Sequence, residues 1–198
     1  IQNNTDGIEA DASSQPTITG NTFTGNTRPV SVYAARINNT ISGNTYSGNT
    51  KDYIEVQGDY IDGNGTYVWA KDNGPYVVVG DVYVQRDNNS SHISTLQIAS
   101  GTTVKFNSGI GLYIGGSSSS YKGALTATGV TFTSLDSTGW PGIDFRSHAY
   151  DAGCLLDSCV IENAVDGINC ASSYPTITNS TIRNNTDGIE ADASSQPT

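Results

Sequence analysis

The sequence predicts an all-β protein folded as a right-handed parallel β-helix, and three observations carry that prediction. Residues 3–17 and 184–198 both read NNTDGIEADASSQPT, so the chain opens and closes on the same text. One step outward Ile1 matches Ile182 while Gln2 faces Arg183, so these are two copies and not one stretch counted twice. A shorter period, near 22, lies inside the long one. The composition, with 22 Gly, 11 Tyr, abundant Asn, Ser and Thr and only 14% charged residues, favours strands and turns over helices. Repeats at a fixed period signal a solenoid, and a period near 22 with strand-type alternation fits one coil of a β-helix.

The short repeat is legible in four segments: Leu156-Asp-Ser-Cys-Val-Ile161, Ile177-Thr-Asn-Ser-Thr-Ile182, Ile18-Thr-Gly-Asn-Thr-Phe23 and Ile41-Ser-Gly-Asn-Thr-Tyr46. If the long period is continued past its second opening, successive spacings are 21, 22 and 23. Apolar positions should point inward and stack on their equivalents one coil away, about 4.8 Å distant. The recurring Asn residues, Asn21, Asn26, Asn44, Asn49 and Asn185, should form ladders at the turns, their amides bonding along the stack. Parallel crossovers are right-handed in nearly all cases, which sets the expected hand.

The tripeptide Asp-Gly-Ile occurs at 6–8, 166–168 and 187–189. The expectation is that its Gly turns with positive φ and its Ile then enters the core. After each outer copy, Glu-Ala-Asp alternation places Glu9 and Asp11, and Glu190 and Asp192, on one strand face. Pro16, Pro175 and Pro197 precede Thr residues that open strands, where no ladder hydrogen bond is lost.

Three segments follow from this pattern. Residues 1–50 are coils that end one period and residues 95–198 are coils of the next. Residues 51–94, rich in Tyr and Val, are expected as less regular junction strands between periods, with a loop at 88–93. Strands are expected near 95–98, 103–106, 111–114, 124–127 and 130–133, with the Ser run 117–120 as an exposed turn.

The formal net charge of −10, with only nine scattered Lys and Arg, argues against nucleic acid as a partner. No apolar run reaches the roughly 18–20 residues of a membrane helix, so no membrane insertion is expected. The chain has no Met, as expected of an internal or processed piece. Cys154, Cys159 and Cys170 lie close together in the sequence and lack zinc-ligand spacing. They read as buried thiols, with one disulfide among them left open.

The stretch TLQIASGTTVKFNSGIGLYIGG…GALTATGVTFTS, then GWPGIDF and the Asn-bearing coils, resembles the parallel β-helix repeat proteins of archaea and bacteria, the NosD-like group. The resemblance covers roughly 74–198 and continues through 1–50. It implies a secreted or surface-displayed solenoid of the kind found among adhesin-like proteins and carbohydrate binders.

Many β-helices cleave polysaccharides, but neither the calcium-ligand set with catalytic Arg or Lys nor an Asp cluster with Gly-His-Gly is present. The nearest candidate for catalysis is Arg146, His148 and Asp151, a cation, an imidazole and a carboxylate close in sequence. A polar loop between coils explains them better. No cofactor is required by the sequence. Calcium is the one candidate, at Glu9 and Asp11 or Glu190 and Asp192, although two carboxylates fall short of its roughly six to eight oxygens. Asn88 and Asn89 are the better-placed glycosylation sequons.

The expected function is therefore an extracellular or cell-surface structural and adhesive fibre without catalysis. It is built from tandem or end-to-end stacked repeats, its partner is itself, and surface polysaccharide is a further candidate. The alternative is a carbohydrate-binding module or a lyase- or hydrolase-like β-helix.

Overall fold

The computed structural model describes residues 1–85, 91–136 and 138–198. The expected loop and the sequons at Asn88 and Asn89 lie wholly or partly outside these residues. The structure is a stack of parallel coils, each with three short strands.

The first coil carries β1 (Asp6–Glu9), β2 (Ile18–Thr19) and β3 (Thr22–Thr24). The second carries β4 (Arg28–Tyr33), a 3-10 turn at Ala34–Arg36, β5 (Ile41–Ser42) and β6 (Thr45–Ser47). The third has β7 (Ile54–Gln57), β8 (Asp59–Ile61) and β9 (Gly65–Trp69), and the fourth β10 (Tyr76–Val78), β11 (Val82–Val84) and β12 (Ser94–Ile98). The fifth has β13 (Thr103–Phe106), β14 (Leu112–Ile114) and β15 (Gly123–Thr128). The sixth has β16 (Thr131–Ser134), β17 (Ile143–Phe145) and β18 (Leu155–Asp157). The seventh has β19 (Val160–Glu162), β20 (Asp166–Cys170) and β21 (Thr176–Thr178), and β22 (Thr181–Arg183) and β23 (Asp187–Ala191) begin an eighth.

Among the described residues every strand pairing is parallel. One column runs the length of the stack as β1-β4-β7-β10-β13-β16-β19-β22, a second as β8-β11-β14-β17-β20-β23 and a third as β9-β12-β15-β18-β21. In the first column Ile8, Val30, Ile54, Tyr76, Val104, Phe132, Ile161 and Ile182 stand one above another. This apolar file, with Ile61, Val84, Ile114, Phe145 and Cys170 of the second column, fills the interior. The core is continuous and holds two tryptophans, each with its indole N–H satisfied: Trp69 donates to the Ala34 carbonyl and Trp140 to that of Glu162.

The stretch 51–94, expected as a junction, contributes β7 to β11 and the first residue of β12, each first-column strand in register with the coils on both sides. Coil length departs from the sequence period in the middle of the chain. Val82 faces Leu112 and Leu112 faces Ile143, steps longer than the one from Leu155 to its partner Thr176. The additional residues go into turns, and the strands keep register because each inward side chain must sit on its neighbour.

The role expected of the Asp-Gly-Ile glycine is corrected. Gly7, Gly167 and Gly188 are not among the positive-φ residues. The left-handed turn is taken shortly before each of them, by Asn3 (φ 58°), Asn163 (φ 59°) and Asn184 (φ 57°). Glycine is needed for close approach: a Cβ on Gly7 would come 2.4 Å from the Pro29 carbonyl oxygen, and one on Gly167 would come 2.7 Å from that of Gly188.

Candidate functional site

Two asparagine ladders run along the first coils. Backbone N–H and Nδ2 of Asn4 both donate to Oδ1 of Asn26 (3.0 and 3.1 Å), and those of Asn26 donate to Oδ1 of Asn49 (2.9 Å each). Asn49 donates in the same way to Asp52. In the second ladder Asn21 donates to Asn44, and Asn44 donates to both oxygens of Asp72. Each ladder ends on a carboxylate, which only accepts. Asn185 sits on a further rung, its Oδ1 accepting from the backbone N–H of Ala164 at 2.8 Å. These ladders satisfy turn amides that the strands leave unpaired.

The largest charge cluster among the described residues lies on the outer face of β1, β4 and β7. The Arg28 guanidinium donates to Asp6 (2.6 Å), Glu9 (3.2 Å) and Glu55 (2.8 Å), and Lys51 reaches the second oxygen of Glu55 at 2.7 Å. Burial pushes the Glu55 carboxyl up, but the Lys51 and Arg28 hydrogen bonds outweigh it and hold the group below its ordinary range. Beside this cluster is a groove of about 550 Å³ lined by Glu9, Asp11, Ser14, Arg28, Ser31, Tyr33 and Gln57. Sequence reasoning missed Arg28 and Glu55. The signal was available for Arg28, a cation one coil-length beyond Asp6.

Glu9 and Asp11 do line one groove, but each already has a partner. Glu9 accepts from Arg28, and Asp11 accepts from Ser13 and Ser14 in a tight turn. Asp192 is held by the backbone N–H of Ser172 and Ser194 and by the Ser195 hydroxyl. Glu190 stands next to Asn169 in the second column. Among the described residues no three His, Cys, Asp or Glu side chains form a group able to hold a metal ion.

Arg146, His148 and Asp151 are brought near one another without being joined by a hydrogen bond among the described residues. Arg146 pairs with Asp144 at 3.1 Å and lies over the Tyr113 ring at 4.3 Å. His148 Nδ1 contacts Ser147 Oγ and the Gly116 carbonyl, both at 3.1 Å. Asp151 accepts from the backbone N–H of Tyr174 at 2.7 Å. His148 and Asp151 share a shallow hollow of about 270 Å³ with Lys122 and Tyr150. Beside Arg146 the rings of Tyr60, Tyr83 and Tyr113 stack at 5.0 and 4.9 Å, an outward file on the second column. The three cysteines are free and buried. Burial pushes the Cys154 thiol up to about 12 and the Cys170 thiol up to about 11.

Residues 1–85 match the family model described as Periplasmic copper-binding protein (NosD). The chain is a parallel β-helix whose first 85 residues are similar to that family. No curated protein and no solved structure matches it. The matched portion contains both asparagine ladders and the Arg28 cluster, the features that tie the first three coils together.

Proposed function

We propose that this NosD-like β-helix is a structural rod of the cell envelope or cell exterior, one segment of a tandem array in which coil follows coil. One observation carries the reading. The two copies of the repeated segment lie in the first and last coils of a single uninterrupted stack, so the chain that follows residue 198 in an array has a seat of known sequence waiting for it. A solenoid unit contacts only its neighbours, so its stability and its shape extend with its length. The ladders add polar bonds along the same axis, which resists separation of the coils.

The family description supports a place in the envelope. Copper, which that description also names, fits these residues poorly. Residues 1–85 contain no His, Cys or Met, the side chains copper takes most readily. His92 and His148 stand two coils apart, flanking β12 and β17, and the three thiols are buried. No copper chemistry is assigned to the chain.

The polar groove beside Arg28 favours a second reading, a polysaccharide-binding face. Its carboxylates, hydroxyls and Tyr33 are suited to sugar hydroxyls. Electron microscopy of the purified protein, alongside thermal-shift measurements with neutral and acidic polysaccharides, separates the two. Rods of uniform width, longer than the roughly 35 Å that seven to eight coils span at ~4.8 Å each, support the structural reading. Dispersed short particles that are stabilised by a polysaccharide overturn it in favour of the second.

A further inference from the structure

The same sequence occupies two different columns of the stack. Residues Asp6–Glu9 form β1, at the head of the first column. Their copy, beginning at Asp187, forms β23, the last strand of the second column. The neighbouring segments shift in the same sense. Arg183 belongs to β22 of the first column, whereas its counterpart Gln2 bridges to Thr24 of β3. From β1 to β23 the chain passes twenty-two strands, which at three strands a coil is seven coils and one strand over.

The last coil also has unmet chemistry that the first coil has met. Asp6 and Glu9 are both held by Arg28. Asp187 and Glu190 are their copies and have no cation against them among the described residues. Ile8 is covered by Val30, whereas its copy Ile189 is 43% exposed. Backbone N–H and Nδ2 of Asn4 donate to Asn26, whereas no equivalent Asn of a following coil stands over the copy Asn185 among the described residues. A second whole chain seated with its β1 on β23 would set Asp6 over Asp187 and Glu9 over Glu190, like charge on like charge. Residues 18–57 of a following period set Arg28 there instead.

Resting on the tandem-rod reading, we propose that residues 182–198 are the receiving surface for residues 18–57 of the next period, with Arg28 seated between Asp187 and Glu190. The second column of one period then continues as the first column of the next. Each period is turned by about a third of a revolution relative to the one before, and three periods return a given residue to its original face. At ~4.8 Å per coil the advance is roughly 35 Å per period. The Arg28 groove and the Tyr60–Tyr83–Tyr113 file therefore wind round the rod and are presented on three faces in turn.

The test uses a chain of two periods, in which residues 18–198 follow residue 198 a second time. Three cysteine pairs are introduced separately: Glu190→Cys with Ser31→Cys of the second period, Arg183→Cys with Thr24→Cys of the second period, and Arg183→Cys with Ser31→Cys of the second period. The three native thiols are buried and leave the readout to the introduced ones. The expected result under mild oxidation is loss of both introduced thiols in the first two pairs and retention in the third. Closure of the third pair, or free thiols in either of the first two, overturns the rotated seating. Small-angle scattering of the same chain addresses the parent reading independently. A single straight rod with the third pair closed leaves the fibre intact and removes the rotation, whereas two hinged bodies remove both.

Discussion

Asn44 Nδ2 lies 2.9 Å from Oδ2 of Asp72, and the Asn44 backbone N–H lies 2.8 Å from Oδ1 of the same carboxylate. Asp72 is buried and also accepts from the Tyr46 hydroxyl and the Asn73 backbone N–H, both at 2.9 Å. The carboxylate thus closes a ladder with four donors converging on two oxygens. Burial and the neighbouring Asp72 charge push the Tyr46 phenol well above its ordinary range, so it stays a donor.

Asp72→Asn tests that closure. An amide in place of the carboxylate presents N–H to at least one group that also donates, leaving a buried donor unpaired at a cost of about 1–3 kcal/mol. The expected outcome in urea unfolding is a lower midpoint with an unchanged slope. Asn21→Ala, at the half-buried end of the same ladder, should cost less, because water can replace part of its bonding.

The Arg28 cluster sets an acid limb. Glu55 is held below its ordinary value of 4.5, so the folded state binds fewer protons than the unfolded chain as pH falls past that value. Its contribution is fully present above about pH 4.5 and is lost as the pH drops through the lower folded value. Glu55→Gln should lower stability at neutral pH and flatten the loss between about pH 5 and pH 3. Thermal midpoints of the two proteins across that range check it, and parallel curves would assign the acid limb to other carboxylates.

Glycines divide into two kinds with different sensitivities. Gly167→Ala drives a Cβ to 2.7 Å from the Gly188 carbonyl oxygen and from Asn185 Nδ2, so two coils must separate. Gly20 has φ 66° with nothing within 4 Å of an added Cβ, so Gly20→Ala costs only the left-handed conformation, about 1–2 kcal/mol. Gly20→Asn should recover part of that. Denaturant midpoints that fall further for Gly167→Ala than for Gly20→Ala are the expected order.

The repeats made much of this molecule readable in advance. A period near 22 with alternating apolar positions requires stacked parallel strands, because only that arrangement buries each Ile against its equivalent. The ladder positions Asn21, Asn26, Asn44 and Asn49 were legible for the same reason. Asp72 was not, because a longer coil places it 28 positions after Asn44, off the period. Nor was the fact that Gly7 serves close packing while Asn3 makes the turn, since both residue types tolerate positive φ and only the neighbouring Pro29 carbonyl separates the two roles. Glu9 and Asp11 share a face by simple alternation, but whether a cation, a turn or a metal meets them depends on the strand beside them. The sequence by itself determined the coil and its repetition, which are local matters of period and side-chain type. The tertiary structure alone decided which column each copy of Asp-Gly-Ile occupies, because that depends on how many strands the intervening residues form, and turn lengths along the chain do not reveal that number.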